Sequence, residues 1–107
     1  MKKGNPEGAV QLQILKYLRS RGYVCGKTKT MGVKRGNFYC FDPYTFRGYP
    51  DITVFMPELM FIEVKSKKGV QSEDQKAFQG YCEKAGVPYI LAHSLDELVS
   101  LLQTLKG

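Results

Sequence analysis

The stretch from Gly48 to Lys65 constrains this chain more than any other. Two apolar runs of strand length, Ile52-Thr53-Val54-Phe55 and Leu59-Met60-Phe61-Ile62-Glu63-Val64, flank a short break at Met56-Pro57-Glu58. A break that short favours antiparallel pairing of the two runs. Asp51, Glu63 and Lys65 are charged where a buried hairpin would carry no charge. Strand alternation puts Phe61, Glu63 and Lys65 on one face and Met60, Ile62 and Val64 on the other, with Glu63 and Lys65 roughly 6.5 to 7 Å apart along the strand. The turn lies near the midpoint between positions 51 and 63, so Asp51 falls beside Glu63, and two carboxylates and an ammonium converge.

Neighbouring carboxylates repel, so such a pair either holds a proton or recruits a cation. Magnesium suits the position, because it takes hard oxygen ligands, keeps several waters and uses only one or two protein carboxylates alongside substrate phosphate. A lysine beside it can orient water or stabilise a pentacovalent phosphorus. In outline this is a phosphodiesterase site. Each residue also has a plainer reading: Asp51 as a turn residue after Pro50, Glu63 as a solvated group on an edge strand, Lys65 as a strand end. The apolar company of Glu63 speaks for an interior strand, where an uncompensated carboxylate is costly.

Charge and cysteine usage narrow the setting. Lys and Arg outnumber Asp and Glu 16 to 10, a net charge of +6 that favours an anionic partner such as nucleic acid. Cys25, Cys40 and Cys82 are odd in number and widely spaced, which supports neither a disulfide framework nor a thiolate zinc site. No apolar run approaches a membrane span, and no signal-peptide core follows Met1. The expectation is one domain of 107 residues in the cytosol, or in the nucleus of a eukaryote, with no membrane partner.

Asn5-Pro6-Glu7 reads as a helix start, with the helix running to about Arg21, stopping at Gly22 and burying Val10, Ile14, Tyr17 and Leu18. Glu7 lies at the end of that stripe and faces the body of the domain. Tyr23-Val24-Cys25 is a first strand. Gly26 to Gly36 is a loop or irregular hairpin arm whose Lys27, Lys29, Lys34 and Arg35 could meet phosphates. Phe38 to Phe41 is a second short strand. Tyr44, Phe46, Arg47 and Tyr49 interleave aromatics with a cation, as a base-stacking surface or as core. Ser72-Glu73-Asp74-Gln75 fits a capping box, opening a helix with Phe78, Tyr81, Cys82 and Ala85 on its stripe and Gly86 at its end. Val87 to Ala92 is a buried strand, and Ser94 caps a last helix with Leu95, Leu98, Leu101, Leu102 and Leu105 on a wide apolar face. His93, the only histidine, reads as a local hydrogen-bonding residue and excludes histidine-rich metal sites.

Pro50-Asp51, eleven residues, then Glu63-Val64-Lys65 resembles the motif of the PD-(D/E)xK nucleases. The glutamate on the first helix, the Gly-x-Pro-Asp turn, the Ile-Glu-Val-Lys strand, Gly-x-x-Ser-x-x-Gln and the Gly-Val-Pro-Tyr strand are together similar to the VRR-NUC branch, from Glu7 to about Leu102. The resemblance implies an α/β fold with a restriction-endonuclease-like core, a small mixed β-sheet flanked by helices. It further implies a Mg2+ or Mn2+ ion on Asp51, Glu63 and the Val64 carbonyl, Lys65 as catalytic lysine, and Glu7 and Gln75 completing the site. Gln75 thereby has two roles open to it, helix cap and active-site contact. Lys67 and Lys68 join Lys27, Lys29, Lys34, Arg35 and Arg47 as candidate DNA contacts. The stand-alone members are likened to homodimeric Holliday-junction resolvases, and a twofold dimer suits a roughly twofold four-way junction. The expectation is therefore a metal-dependent, structure-selective DNA endonuclease acting as a homodimer on branched DNA. Its rivals are a monomeric flap, single-strand or restriction-type nuclease, and a DNA-binding module without catalysis.

Overall fold

In the computed structural model, residues 6–28, 33–35, 38–40, 44 and 46–106 are described, the side chains of 33–35, 38–40 and 106 excepted. Helix α1, Pro6–Ser20, opens with proline at its first position and Glu7 in its first turn. Both suit a helix start, since proline lacks only an N–H that would go unbonded there and a carboxylate opposes the positive end of the dipole. The chain leaves it through Gly22, whose φ of 87° is a left-handed value that favours glycine. Ile14, Leu15 and Leu18 are buried, with Val10 and Tyr17 packed beside them. Leu15 extends the expected stripe by one neighbour, because α1 meets both the sheet and a second helix.

Four strands follow in one mixed sheet, ordered β1 (Val24–Lys27), β4 (Ile52–Met56), β5 (Met60–Val64) and β6 (Tyr89–Ala92). β1 lies later than the expected Tyr23 to Cys25, and the Arg19 guanidinium donates to the Cys25 carbonyl at 2.9 and 3.1 Å, covering part of this edge strand. β4 and β5 pair antiparallel through Ile52 with Ile62, Thr53 with Phe61 and Val54 with Met60. β5 and β6 are parallel, Phe61 facing Tyr89 and Val64 facing Ala92. Strand β5 is thus interior, as its apolar sequence implies. β2 (Val33–Arg35) and β3 (Phe38–Cys40) form a separate antiparallel pair, so the glycine-punctuated segment divides between β1 and a hairpin arm.

The parallel β5–β6 connection requires a crossover, supplied by α2 (Glu73–Ala85). Its Ser72–Gln75 capping box is complete, and Gly86 closes it in the left-handed conformation with φ 73°. Phe78 and Cys82 are buried as expected, but the inward stripe continues back to Gln75, whereas Tyr81 and Ala85 are exposed. Position 81 lies about 100° around the helix from 82, outside the narrow face that the sheet covers. On α3 (Leu95–Lys106), Leu98 and Leu102 are buried and Leu95 packs at the margin, while Leu101 and Leu105 face outward, so the apolar face exceeds what the core takes up.

One sheet face, carrying Ile52, Val54, Met60, Ile62, Val64 and Ile90, packs on α1 and α3 as the hydrophobic core. The other carries Phe61 and Glu63 towards α2. Cys25 and Cys82 are free thiols whose pKa burial pushes up, keeping them protonated. Among the described residues no helix is long and apolar enough to cross a membrane. Because Ile62 is fully buried at the centre of this core, Ile62→Ala is expected to cost roughly 3 kcal/mol of stability. Urea unfolding reads this as a lower midpoint at unchanged slope; a midpoint equal to the wild type would contradict the packing.

Candidate active site

The register that pairs Ile52 with Ile62 places Asp51 and Glu63 one step further along, at the end of the hairpin away from its turn. Both are buried, Asp51 at 3% and Glu63 at 1% exposure. Each carboxylate is held by a donor that the fold supplies. Asp51 Oδ2 accepts the Val64 backbone N–H at 2.9 Å, a bond from the strand beside it. Glu63 Oε2 accepts the Gln75 side-chain amide at 3.0 Å, and Lys65 Nζ lies 4.0 Å from the same oxygen. The Asp51 carbonyl accepts from Thr28 N at 2.9 Å, and the Thr28 and Thr53 hydroxyls are joined at 2.7 Å, which anchors β1 to the site. That pairing spans twenty-five positions, and no local spacing in the sequence announces it.

Gln75 fills both roles at once. Its amide oxygen accepts from Ser72 N at 2.9 Å while its amide nitrogen donates to Glu63, and its own backbone N–H donates to Ser72 Oγ at 3.2 Å. A backbone N–H can only donate and a carboxylate only accept, so the two partners fix which way the amide faces. The helix cap therefore orients the side chain that bonds Glu63. Gly48, at φ 73°, packs directly on this turn: a Cβ there would come within 2.3 Å of the Asp74 carbonyl carbon and oxygen and 2.5 Å of Gln75 N. The segment leading into Asp51 is thus pressed onto the same helical turn that presents Gln75. Nearby, Phe46, Tyr49, Phe61 and Phe78 meet edge to face at 5.1 to 5.7 Å. Phe46 and Tyr49 accordingly help pack this face of the sheet, whereas Tyr44 is 95% exposed.

Glu7 arrives from α1 and accepts the Ser66 N–H at 3.2 Å, just past Lys65. It braces the exit of β5, and among the described residues no group of three His, Cys, Asp or Glu side chains forms a metal cluster. The hard oxygen donors that the structure brings together are the two buried carboxylates of Asp51 and Glu63, with Val64 between Glu63 and Lys65 at the end of β5. This set suits magnesium or manganese, which bind through one or two carboxylates with water completing the shell, and it lacks the nitrogen and sulfur ligands zinc favours.

The candidate DNA contacts scatter more widely. Lys67 and Lys68 are exposed in the turn after β5, close to the carboxylates in sequence, and Lys27 is exposed at the end of β1. Arg47 pairs at 3.8 Å with Asp74 on the first turn of α2, both largely exposed. Lys29 and the side chains of Lys34 and Arg35 lie outside the described residues. His93 makes the expected local bonds: its N–H and Nδ1 lie 2.6 and 2.8 Å from Glu97 Oε1. Burial works to raise the Glu97 pKa, but the bonds from the His93 ring and N–H and the attraction of a charged imidazole outweigh it and lower it. Burial pushes Tyr89 up to about 12, so its hydroxyl, bonded to Gln71, stays protonated.

Two substitutions test this wiring. Ser72→Ala is expected to cost about 1 kcal/mol through loss of the cap, and Gly48→Ala about 1 to 3 kcal/mol, because the new methyl must displace backbone. Thermal unfolding of both variants measures these losses. A fully stable Gly48→Ala protein would mean that the close approach of Gly48 to α2 is wrong.

No protein-family model matches the chain, and no curated protein does. Solved structures do. A VRR-NUC domain superposes with a TM-score of 0.68 at 19% identity, covering 94% of this chain and 97% of its own. A VRR-NUC domain protein superposes at 0.63 and 18% identity, over 96% and 89%. At such identities what is shared is the fold, which among the described residues of this chain is three helices and a four-stranded mixed sheet. The chain has the VRR-NUC fold.

Proposed function

We propose that this chain is a nuclease of the VRR-NUC type, a Mg2+- or Mn2+-dependent endonuclease that cuts phosphodiester bonds in branched DNA, four-way junctions foremost, as a homodimer. The observation that carries the reading is the burial of Asp51 and Glu63 on neighbouring strands with Lys65 beside them. A fold gains nothing from two adjacent buried carboxylates; a pure DNA-binding surface would be weakened by them. Asp51, Glu63 and the Val64 carbonyl would hold a divalent ion, which would supply Lewis-acid polarisation of a phosphoryl oxygen and activation of water.

The chain's own residues do the rest. The Val64 N–H and the Gln75 amide hold the two carboxylates in fixed orientations, so little reorganisation is needed when the substrate arrives. Lys65, whose side chain is largely buried beside Glu63, would orient the attacking water and stabilise negative charge developing on phosphorus. Glu7 fixes the backbone immediately after Lys65. The net charge of +6 draws the phosphate backbone in. The exposed Leu101 and Leu105 of α3 offer apolar surface to a second copy, and two copies related by a twofold axis would suit a roughly twofold junction.

Labelled four-way junction, flap and linear duplex, each with Mg2+, Mn2+ or chelator, test the reading. The expected result is cleavage only with metal and strongest on the junction; cutting that survives chelator, or none on any substrate, would overturn it. Sedimentation reads the dimer. Lys65→Ala is expected to abolish cleavage while shifting the salt slope of metal-free DNA binding by only about one unit. Parallel loss of binding and cutting would remove Lys65 from the chemistry.

A further inference from the structure

Because β5 and β6 are parallel neighbours, the residues leaving their carboxyl ends, Ser66 to Lys68 and His93, lie side by side against the first turns of α1. Between them is an open cleft of about 480 Å³ lined by Pro6, Val10, Ser66, Lys67, Lys68 and His93. The carboxyl edge of parallel strands is where open α/β sheets hold ligands, and this volume is of the size that small-molecule sites have. The cleft starts one residue beyond Lys65, and the Glu7 bond to Ser66 N fixes one of its walls.

Its lining divides by chemistry. Pro6 and Val10 are apolar. Lys67 and Lys68 bring two exposed cations, neither in an ion pair among the described residues. Glu97 holds the His93 ring through Nδ1, which fixes the ring plane and leaves Nε2 as the nitrogen able to meet a ligand. An apolar wall, a fixed aromatic ring and two ammonium groups together match a sugar and base carrying a phosphate.

We propose that this cleft is a nucleotide subsite that holds the nucleotide adjoining the cleaved bond, its phosphate on Lys67 and Lys68 and its sugar and base against Pro6, Val10 and the His93 ring. Its place next to the cleaved bond rests on the nuclease reading; its capacity to bind a nucleotide does not. His93 is the only histidine in the chain, so a single imidazole resonance reports on the cleft. The test is an NMR titration of that resonance in chelator, with thymidine 5′-monophosphate, thymidine and inorganic phosphate as separate ligands. The expected result is a saturable shift with the monophosphate that neither thymidine nor phosphate matches. The Lys67→Ala/Lys68→Ala variant should fold with the same unfolding midpoint and bind the monophosphate about tenfold more weakly or worse. No shift, an equal shift with phosphate alone, or unchanged affinity in the variant would overturn the subsite. The titration involves neither metal nor cleavage, so its failure leaves the junction assay standing, and failure of the junction assay leaves a positive titration standing.

Discussion

Two carboxyl groups buried side by side are the constraint on which the arrangement depends. Asp51 and Glu63 meet because β4 and β5 are antiparallel neighbours in a fixed register, and a one-residue slip would turn each to the opposite face. Burial of an ionised carboxylate costs several kcal/mol unless it is paired or hydrogen-bonded. Here the compensation comes from three directions: the Val64 N–H within the sheet, the Gln75 amide from α2, and the Lys65 ammonium from β5 itself. The Val64 N–H is itself main chain and the Gln75 amide is anchored on Ser72 N, so these two donors are held in place by the backbone.

The two faces of the sheet divide the work. The face towards α1 and α3 is apolar and carries the core, whereas the face towards α2 carries the charges with an aromatic cluster around Phe78. Stability thus comes chiefly from one side, which leaves the other free to hold groups that a core would reject. Helix α2 links the two roles. Its first turn is a cap, a support for Gln75 and the surface on which Gly48 rests, so a change in that turn reaches the cap, Glu63 and the approach to Asp51 together.

How far the sequence reveals this varies with the range of each contact. The hairpin, its alternation and the capping box are local, and the residues that make them lie within a few positions of each other, so they are legible. The meeting of Asp51 with Glu63 is legible too, because a short turn at their midpoint leaves little freedom. Contacts between distant segments are not. The Thr28–Thr53 hydroxyl pair, the pressing of Gly48 on Asp74 and the cleft between Val10 and His93 depend on how elements stack, which no spacing encodes. Glu7 is intermediate: its helical face points it inward, but only the packing shows that it ends on the Ser66 N–H. Tyr81, Leu101 and Leu105 mark the converse limit, since apolar character on one helix face says nothing about how much of that face a partner covers.

The role proposed for the buried Asp51 and Glu63 pair is to hold a divalent ion. Thermal unfolding as a function of Mn2+ concentration, for the wild type, Asp51→Asn and Glu63→Gln, addresses it most directly. A ligand that binds only the folded state adds about 2.7 kcal/mol of stability at a hundred times its dissociation constant. The wild type should therefore show a midpoint that climbs with Mn2+, and each variant a midpoint that does not. A wild type indifferent to Mn2+, or variants that respond as strongly as it does, would contradict the account.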